Sequence, residues 1–90
     1  MNPLYYKSLE TIFDQELKLL TPVLTNIEKE EVREFLIANE YGVALQTLRD
    51  LLVEENKKIS KEAFDLLEIL AKNMKIYELI ITPELKKCVI

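Results

Sequence analysis

Carboxylates are the first side chains to consider for general acid–base chemistry in this chain, because it contains no histidine. Two acidic pairs, Glu30 with Glu34 and Asp50 with Glu54, have the i, i+4 spacing that places side chains on one face of a helix. Two acids at this spacing are ordinarily solvated neighbours on a helix surface rather than a catalytic pair. The carboxylates therefore do not predict an active site.

Other residue types that carry chemistry are sparse. Cys88 is the single cysteine, and it lacks both a base and a helix N-terminus that would stabilise a thiolate. One glycine cannot build a phosphate-binding loop, and the lack of histidine argues against a zinc site. The tyrosines are expected to pack half-buried, each with its hydroxyl in water. We predict a protein that is not an enzyme and has no metal or cofactor.

Length and composition indicate one small domain, 1–90, with a modest core. Apolar residues make up 49% of the chain, which argues against disorder. No segment resembles a signal peptide, no apolar run is long enough to span a bilayer, and one cysteine cannot form a disulfide framework. We expect a cytoplasmic protein. Its net charge of −4 disfavours direct binding to nucleic acid, which requires a basic stripe, and mildly favours a basic partner.

Apolar residues recur at helical spacing along most of the chain, which predicts an all-α fold. We expect a bundle of four main helices and a short C-terminal helical segment. The predicted helices cover residues 3–20, 26–39, 42–55 and 61–75, and a last short helix begins at Thr82-Pro83. Residues 76–81 suit either a helical turn or an extended piece. The helix over 61–75 is apolar around more than half of its circumference, which predicts a place in the middle of the bundle.

Capping residues mark the predicted helix starts. Asn2 precedes a proline, which is typical of the first turn of a helix. Thr25 or Asn26 caps the second helix, and Glu28 lies three residues after Thr25, as in a capping box. Ser60 is placed to cap the fourth helix.

The centre of the chain predicts a helical hairpin with Glu40, Tyr41 and Gly42 at its corner. Gly42 is the only glycine, and glycine can end a helix in the left-handed conformation without steric cost. Asn39 is the next-best residue for this role.

Acidic residues concentrate on the two helices of this hairpin, whereas basic residues collect nearer the C-terminus. A negative face suits a basic protein partner, whose encounter it would accelerate. The alternative is a solvated face that only keeps the protein soluble. Tyr41 is counted among the candidate contact residues because tyrosine is favoured at binding hot spots. The candidate contact residues are Glu30, Glu34, Glu40, Tyr41, Asp50 and Glu54.

The corner and its continuation carry a family resemblance. An acid, a tyrosine and a glycine are followed by Ala44-Leu45 and Thr47-Leu48. The matching positions further on are Asp50, Leu52, Glu54, Glu55, Ile59, Ser60, Leu67, Leu70, Ala71 and Met74. This pattern, within residues 32–77, resembles the MafI family of bacterial immunity proteins, which are similar in length and also lack histidine motifs.

The resemblance implies a protein encoded beside a polymorphic or contact-dependent growth-inhibition toxin. Such a protein binds the C-terminal domain of its toxin, often a nuclease, inside the cell that makes it. An acidic helical surface would block a basic nuclease cleft by mimicking the charge of the substrate. The residues alone leave a second hypothesis open, a helical adaptor that binds a partner helix or peptide in an apolar groove. A third, a small regulator that binds nucleic acid, is disfavoured by the acidic balance.

Overall fold

The computed structural model describes residues 3–90, so the predicted cap Asn2 lies outside the described part of the chain. The helices are α1 (Pro3–Leu19), α2 (Asn26–Ile37), α3 (Tyr41–Glu54), α4 (Lys61–Asn73), α5 (Tyr77–Ile80) and α6 (Pro83–Lys86). The only strand-like pairing within residues 3–90 is a single parallel bridge between Ile59 and Val89. The predicted all-α fold, with four main helices and a short C-terminal helical segment, is confirmed. The segment 76–81, which suited two structures, forms a helical turn.

Side-chain hydrogen bonds explain where the helices begin. Thr25, rather than Asn26, caps α2: its hydroxyl accepts the Glu28 N–H at 3.1 Å, and its own N–H donates to the Glu28 carboxylate at 2.8 Å. The Ser60 hydroxyl accepts a backbone N–H of α4 at 3.1 Å, and the Thr82 hydroxyl accepts one of α6 at 3.3 Å. These bonds satisfy backbone donors that the first turn of a helix leaves unpaired.

The turn between α2 and α3 differs from the predicted corner. Asn39, with φ of 60°, takes the left-handed conformation, and no described glycine has a positive φ. Gly42 lies instead in the first turn of α3, and Tyr41 is the first residue of that helix. Asparagine is tolerated in the left-handed region because its short polar side chain can hydrogen-bond locally. The prediction that Gly42 ends the preceding helix is therefore wrong, and Asn39 has that role.

A residue in the left-handed conformation also ends α3 and α4. Asn56 has φ of 50° and Lys75 has φ of 59°. Immediately after each left-handed residue, a backbone N–H reaches a carbonyl five residues earlier, from Glu40 at 2.8 Å, Lys57 at 2.9 Å and Ile76 at 3.0 Å. This bond defines the Schellman ending of a helix and satisfies a carbonyl of the last turn. Three non-glycine residues thus fix the directions in which the chain leaves α2, α3 and α4.

The helix α3 lies at the centre of the bundle. It packs against α2, α4, α5 and α6, whereas α1 packs mainly on α4. On α3, Leu45, Leu48 and Leu52 are fully buried. The predicted central helix, α4, packs against α1, α3 and α5 and fully buries Leu67 and Leu70. Leu66 is only half-buried and Ile69 is 44% exposed, so the apolar face of α4 is wider than its buried part.

The C-terminal segment closes the bundle against the loop before α4. The N–H of Ile59 donates to the carbonyl of Cys88 at 2.9 Å, and the N–H of Ile90 donates to the carbonyl of Ile59 at 2.9 Å. Cys88 is buried, and its thiol lies 3.7 Å from the carbonyl oxygen of Leu52. None of the described helices combines the length and apolarity needed to cross a membrane.

Candidate protein-binding surface

The outer face of α2 is the most coherent of the predicted contact regions. The helix buries Val32 and half-buries Phe35 and Leu36 on its inner face. Residues three and four apart share a side of a helix, so these three lie on one face. The opposite face of α2 is exposed to solvent. A shallow depression on this outer face is lined by Asn26, Ile27, Glu30, Glu31 and Glu34. The structure thus brings the predicted residues Glu30 and Glu34 together, with Glu31 beside them.

The other predicted acids lie on or next to α3. Glu40 is the exposed residue immediately before the helix, and its side chain makes no capping hydrogen bond. Asp50 is half-buried, and Glu54 is exposed one turn later at the end of the helix. None of these three lines the depression on α2.

Ion pairs neutralise some of these acids and leave others free. Glu30 accepts a hydrogen bond from Arg33 at 3.0 Å, and Asp50 pairs with the neighbouring Arg49. Among the side chains of residues 4–90, no cation lies within ion-pair distance of the acids Glu31, Glu34, Glu40 and Glu54. An exposed pair such as Glu30–Arg33 contributes little stability, so a partner can replace it at small cost.

Glu28, by contrast, has a structural role. Its carboxylate completes the cap of α2 and also lies 3.3 Å from the ammonium of Lys57, in the loop after α3. The backbone hydrogen bond from Thr25, followed by the contact with Lys57, lowers the pKa of Glu28. This acid joins the N-terminus of α2 to the loop that follows α3 and is not available to a partner.

Tyr41 is not the exposed side chain that a contact at the corner requires. It is only 6% exposed, and its ring stacks on Tyr6 with centroids 5.4 Å apart. Its hydroxyl donates a 2.7 Å hydrogen bond to Glu10, which raises the pKa of Tyr41 to about 12. The prediction of a half-buried ring with a solvated hydroxyl is wrong for this residue. Tyr41 instead holds the start of α3 against α1.

The sequence contained a signal for this burial. Tyr41 precedes Leu45 by four residues and Leu48 by seven, so it continues the apolar stripe of α3 by one turn. Because position 41 was assigned to a turn rather than to the helix, Tyr41 was not counted as part of the apolar stripe of α3.

Two exposed isoleucines on α2 were not among the predicted contact residues. Ile27 and Ile37 are each 82% exposed. Each lies five residues from the buried Val32, about 140° around the helix axis at 3.6 residues per turn. That spacing was sufficient to place both on the outer face.

Glu16 is a second feature that sequence reasoning missed. It lies on the inner face of α1 with no exposed surface, and neither carboxylate oxygen has a hydrogen-bond partner among the described residues. Burial raises the pKa of Glu16 to about 8, so the side chain is mainly neutral at pH 7. Within residues 3–90 no group of histidine, cysteine or acidic side chains is arranged to hold a metal ion. Glu16 is therefore an isolated buried acid and not part of a ligand cluster.

The site as a whole is an exposed acidic surface on α2, with further acids on and next to α3, and the two helices pack against each other. Such a surface can attract and orient a positively charged partner. Comparison of the chain with protein-family models, with curated proteins and with solved structures finds no match.

Proposed function

We propose that the protein is an immunity protein that binds the C-terminal domain of a cognate bacterial toxin, a nuclease, and blocks its basic active-site region in a one-to-one complex. The observation that carries the proposal is the set of exposed acids on α2 and on or next to α3. Glu34, Glu40 and Glu54 are exposed there and have no ion-pair partner among residues 4–90. The resemblance of residues 32–77 to the MafI family supports the same role.

The physical basis is charge complementarity. A nuclease binds phosphates through a cleft lined by basic side chains, and acids on a rigid helical surface can take the place of those phosphates. Because α2 packs on α3 through buried apolar side chains, the helix backbones that carry the acids are fixed relative to each other before binding. A preorganised surface loses less conformational entropy on association than a flexible one.

A specific observation also favours the helical adaptor as a second candidate. A depression between α1 and α4 is lined by Gln15, Lys18, Leu19, Glu62 and Leu66. Its apolar floor and charged rim resemble the grooves that receive an amphipathic helix. A protein that works through this groove would not depend on the acids of α2 and α3.

The test is co-expression with the toxin domain encoded by the adjacent gene, followed by binding measurements across salt concentrations. In the test variant, Glu34, Asp50 and Glu54 are all replaced by lysine. The control variant carries Asp14→Lys, Glu78→Lys and Glu84→Lys, which change the net charge equally at exposed positions outside α2 and α3. Circular dichroism verifies that both variants keep the helical fold.

The proposal predicts that the test variant loses affinity and most of its salt dependence and no longer protects cells. The control variant should bind and protect as the unmodified protein does, because its charges lie outside the contact. Unchanged affinity and salt dependence in the test variant would overturn the assignment of the acidic surface.

A further inference from the structure

Ile27 and Ile37 stand out among the exposed apolar side chains of the described residues. At 82% exposure, each leaves nearly its whole side chain in water. Single exposed aliphatic residues are common on protein surfaces and need no explanation. These two, however, lie on the same side of α2, about 80° apart around its axis and about 15 Å apart along it.

Acids occupy the space between the two isoleucines. Glu30, Glu31 and Glu34 are exposed on the same face, and all three line the depression that Ile27 borders. Among the side chains of residues 4–90, the cation paired with one of them is Arg33, which lies 3.0 Å from Glu30 and is itself exposed. The outer face of α2 is therefore an acidic strip with an aliphatic side chain near each end.

The acids and the two isoleucines together favour some binding partners of the outer face of α2 over others. A second copy of the chain docked through the same face would place Glu31 and Glu34 close to their own counterparts. Like charges that face each other across an interface cost binding free energy on the order of several kcal/mol. An anionic membrane surface would repel the acids before the isoleucines could insert. A basic protein surface satisfies both the charge and the apolar side chains.

We propose that Ile27 and Ile37 are the apolar anchors of the toxin contact, and that the partner presents a basic strip flanked by two apolar pockets about 15 Å apart. This inference rests on the proposed function and deepens it. It places the centre of the contact on the outer face of α2, and it replaces the buried Tyr41 with exposed aliphatic anchors.

Anchors and acids should act on different rate constants. A buried apolar anchor holds an assembled complex together, so its loss mainly raises the dissociation rate. Exposed acids steer the encounter, so their loss mainly lowers the association rate and its dependence on salt. The two contributions can therefore be separated by kinetics.

The experiment measures the rates at which the purified toxin domain encoded by the adjacent gene associates with, and dissociates from, five proteins. Four are the unmodified chain, Ile27→Ala, Ile37→Ala and the double variant, and the fifth is a control. Alanine keeps both positions compatible with a helix. Ile90→Ala is the matched control, because Ile90 is 80% exposed and lies outside α2.

The double variant is expected to dissociate roughly tenfold to hundredfold faster, while its association rate and salt dependence stay close to those of the unmodified chain. Ile90→Ala should leave both rates unchanged. Dissociation of the double variant at the unmodified rate would overturn the anchor proposal while leaving the proposed function intact.

Two further results would also overturn it. If the unmodified chain forms no complex with the toxin domain, the proposed function fails and the anchors fail with it. If the isolated protein sediments as a dimer that the double variant converts to a monomer, the outer face of α2 serves self-association.

Discussion

Glu16 shows how one side chain can set the pH dependence of the whole fold. In the folded protein its pKa is about 8, against an ordinary value of 4.5. Between these values the folded state holds a proton that the unfolded chain releases, so stability falls as the pH rises from about 4.5 to 8. At pH 7 the burial of this acid costs about 3 kcal/mol relative to a group without the shift.

Replacing Glu16 with glutamine should remove this pH dependence, because glutamine has a similar shape and no titrating proton. Near pH 4, where Glu16 is mostly protonated in both the folded and the unfolded state, the variant and the unmodified protein should unfold at similar urea concentrations. At pH 8.5 the variant should be more stable by about 4–5 kcal/mol. Glu30→Gln, at an exposed position, serves as the control and should keep the unmodified slope.

At the scale of the helices, the three left-handed endings are the positions where a substitution is most able to increase the stability of the protein. Lys75 has φ of 59° and cannot relieve the strain as asparagine does. The left-handed conformation costs an ordinary residue roughly 1–2 kcal/mol, whereas glycine loses roughly 0.5–1 kcal/mol in backbone entropy. Lys75→Gly is therefore expected to stabilise the protein by about 0.5–1 kcal/mol.

Thermal unfolding followed by circular dichroism measures this change. The control is Lys7→Gly, at an exposed position inside α1, which should destabilise by about 1 kcal/mol. Equal destabilisation by both substitutions would mean that Lys75 is not held in the left-handed conformation in solution.

At the scale of the whole molecule, stability depends on apolar contacts that converge on α3 and α4. Leu48 on α3 and Leu67 on α4 are both fully buried. Replacing either with alanine should cost about 2–5 kcal/mol, a large share of the margin of a small domain. Leu79→Ala, at a position 47% exposed, should cost much less. Urea unfolding at pH 7 tests this, and equal midpoints for Leu48→Ala and Leu79→Ala would contradict the assigned core.

The sequence by itself determined the four main helices and the beginnings of α2, α4 and α6. Thr25 with Glu28, Ser60 and Thr82 act through hydrogen bonds to backbone groups three residues away. Such interactions are readable in a sequence because both partners are neighbours along the chain. The position of α2 as a helix with an exposed acidic face followed from the same local spacing.

The tertiary structure alone decided how completely each helix face is covered and which distant side chains cover it. Tyr41 is enclosed because α1 supplies Tyr6 and Glu10, which are 35 and 31 residues away in the chain. Glu16 is buried although its residue type favours water. Ile27 and Ile37 are exposed because none of the described helices covers the outer face of α2. Burial depends on which elements meet in space, and that choice is made by contacts between distant segments rather than by the spacing within one.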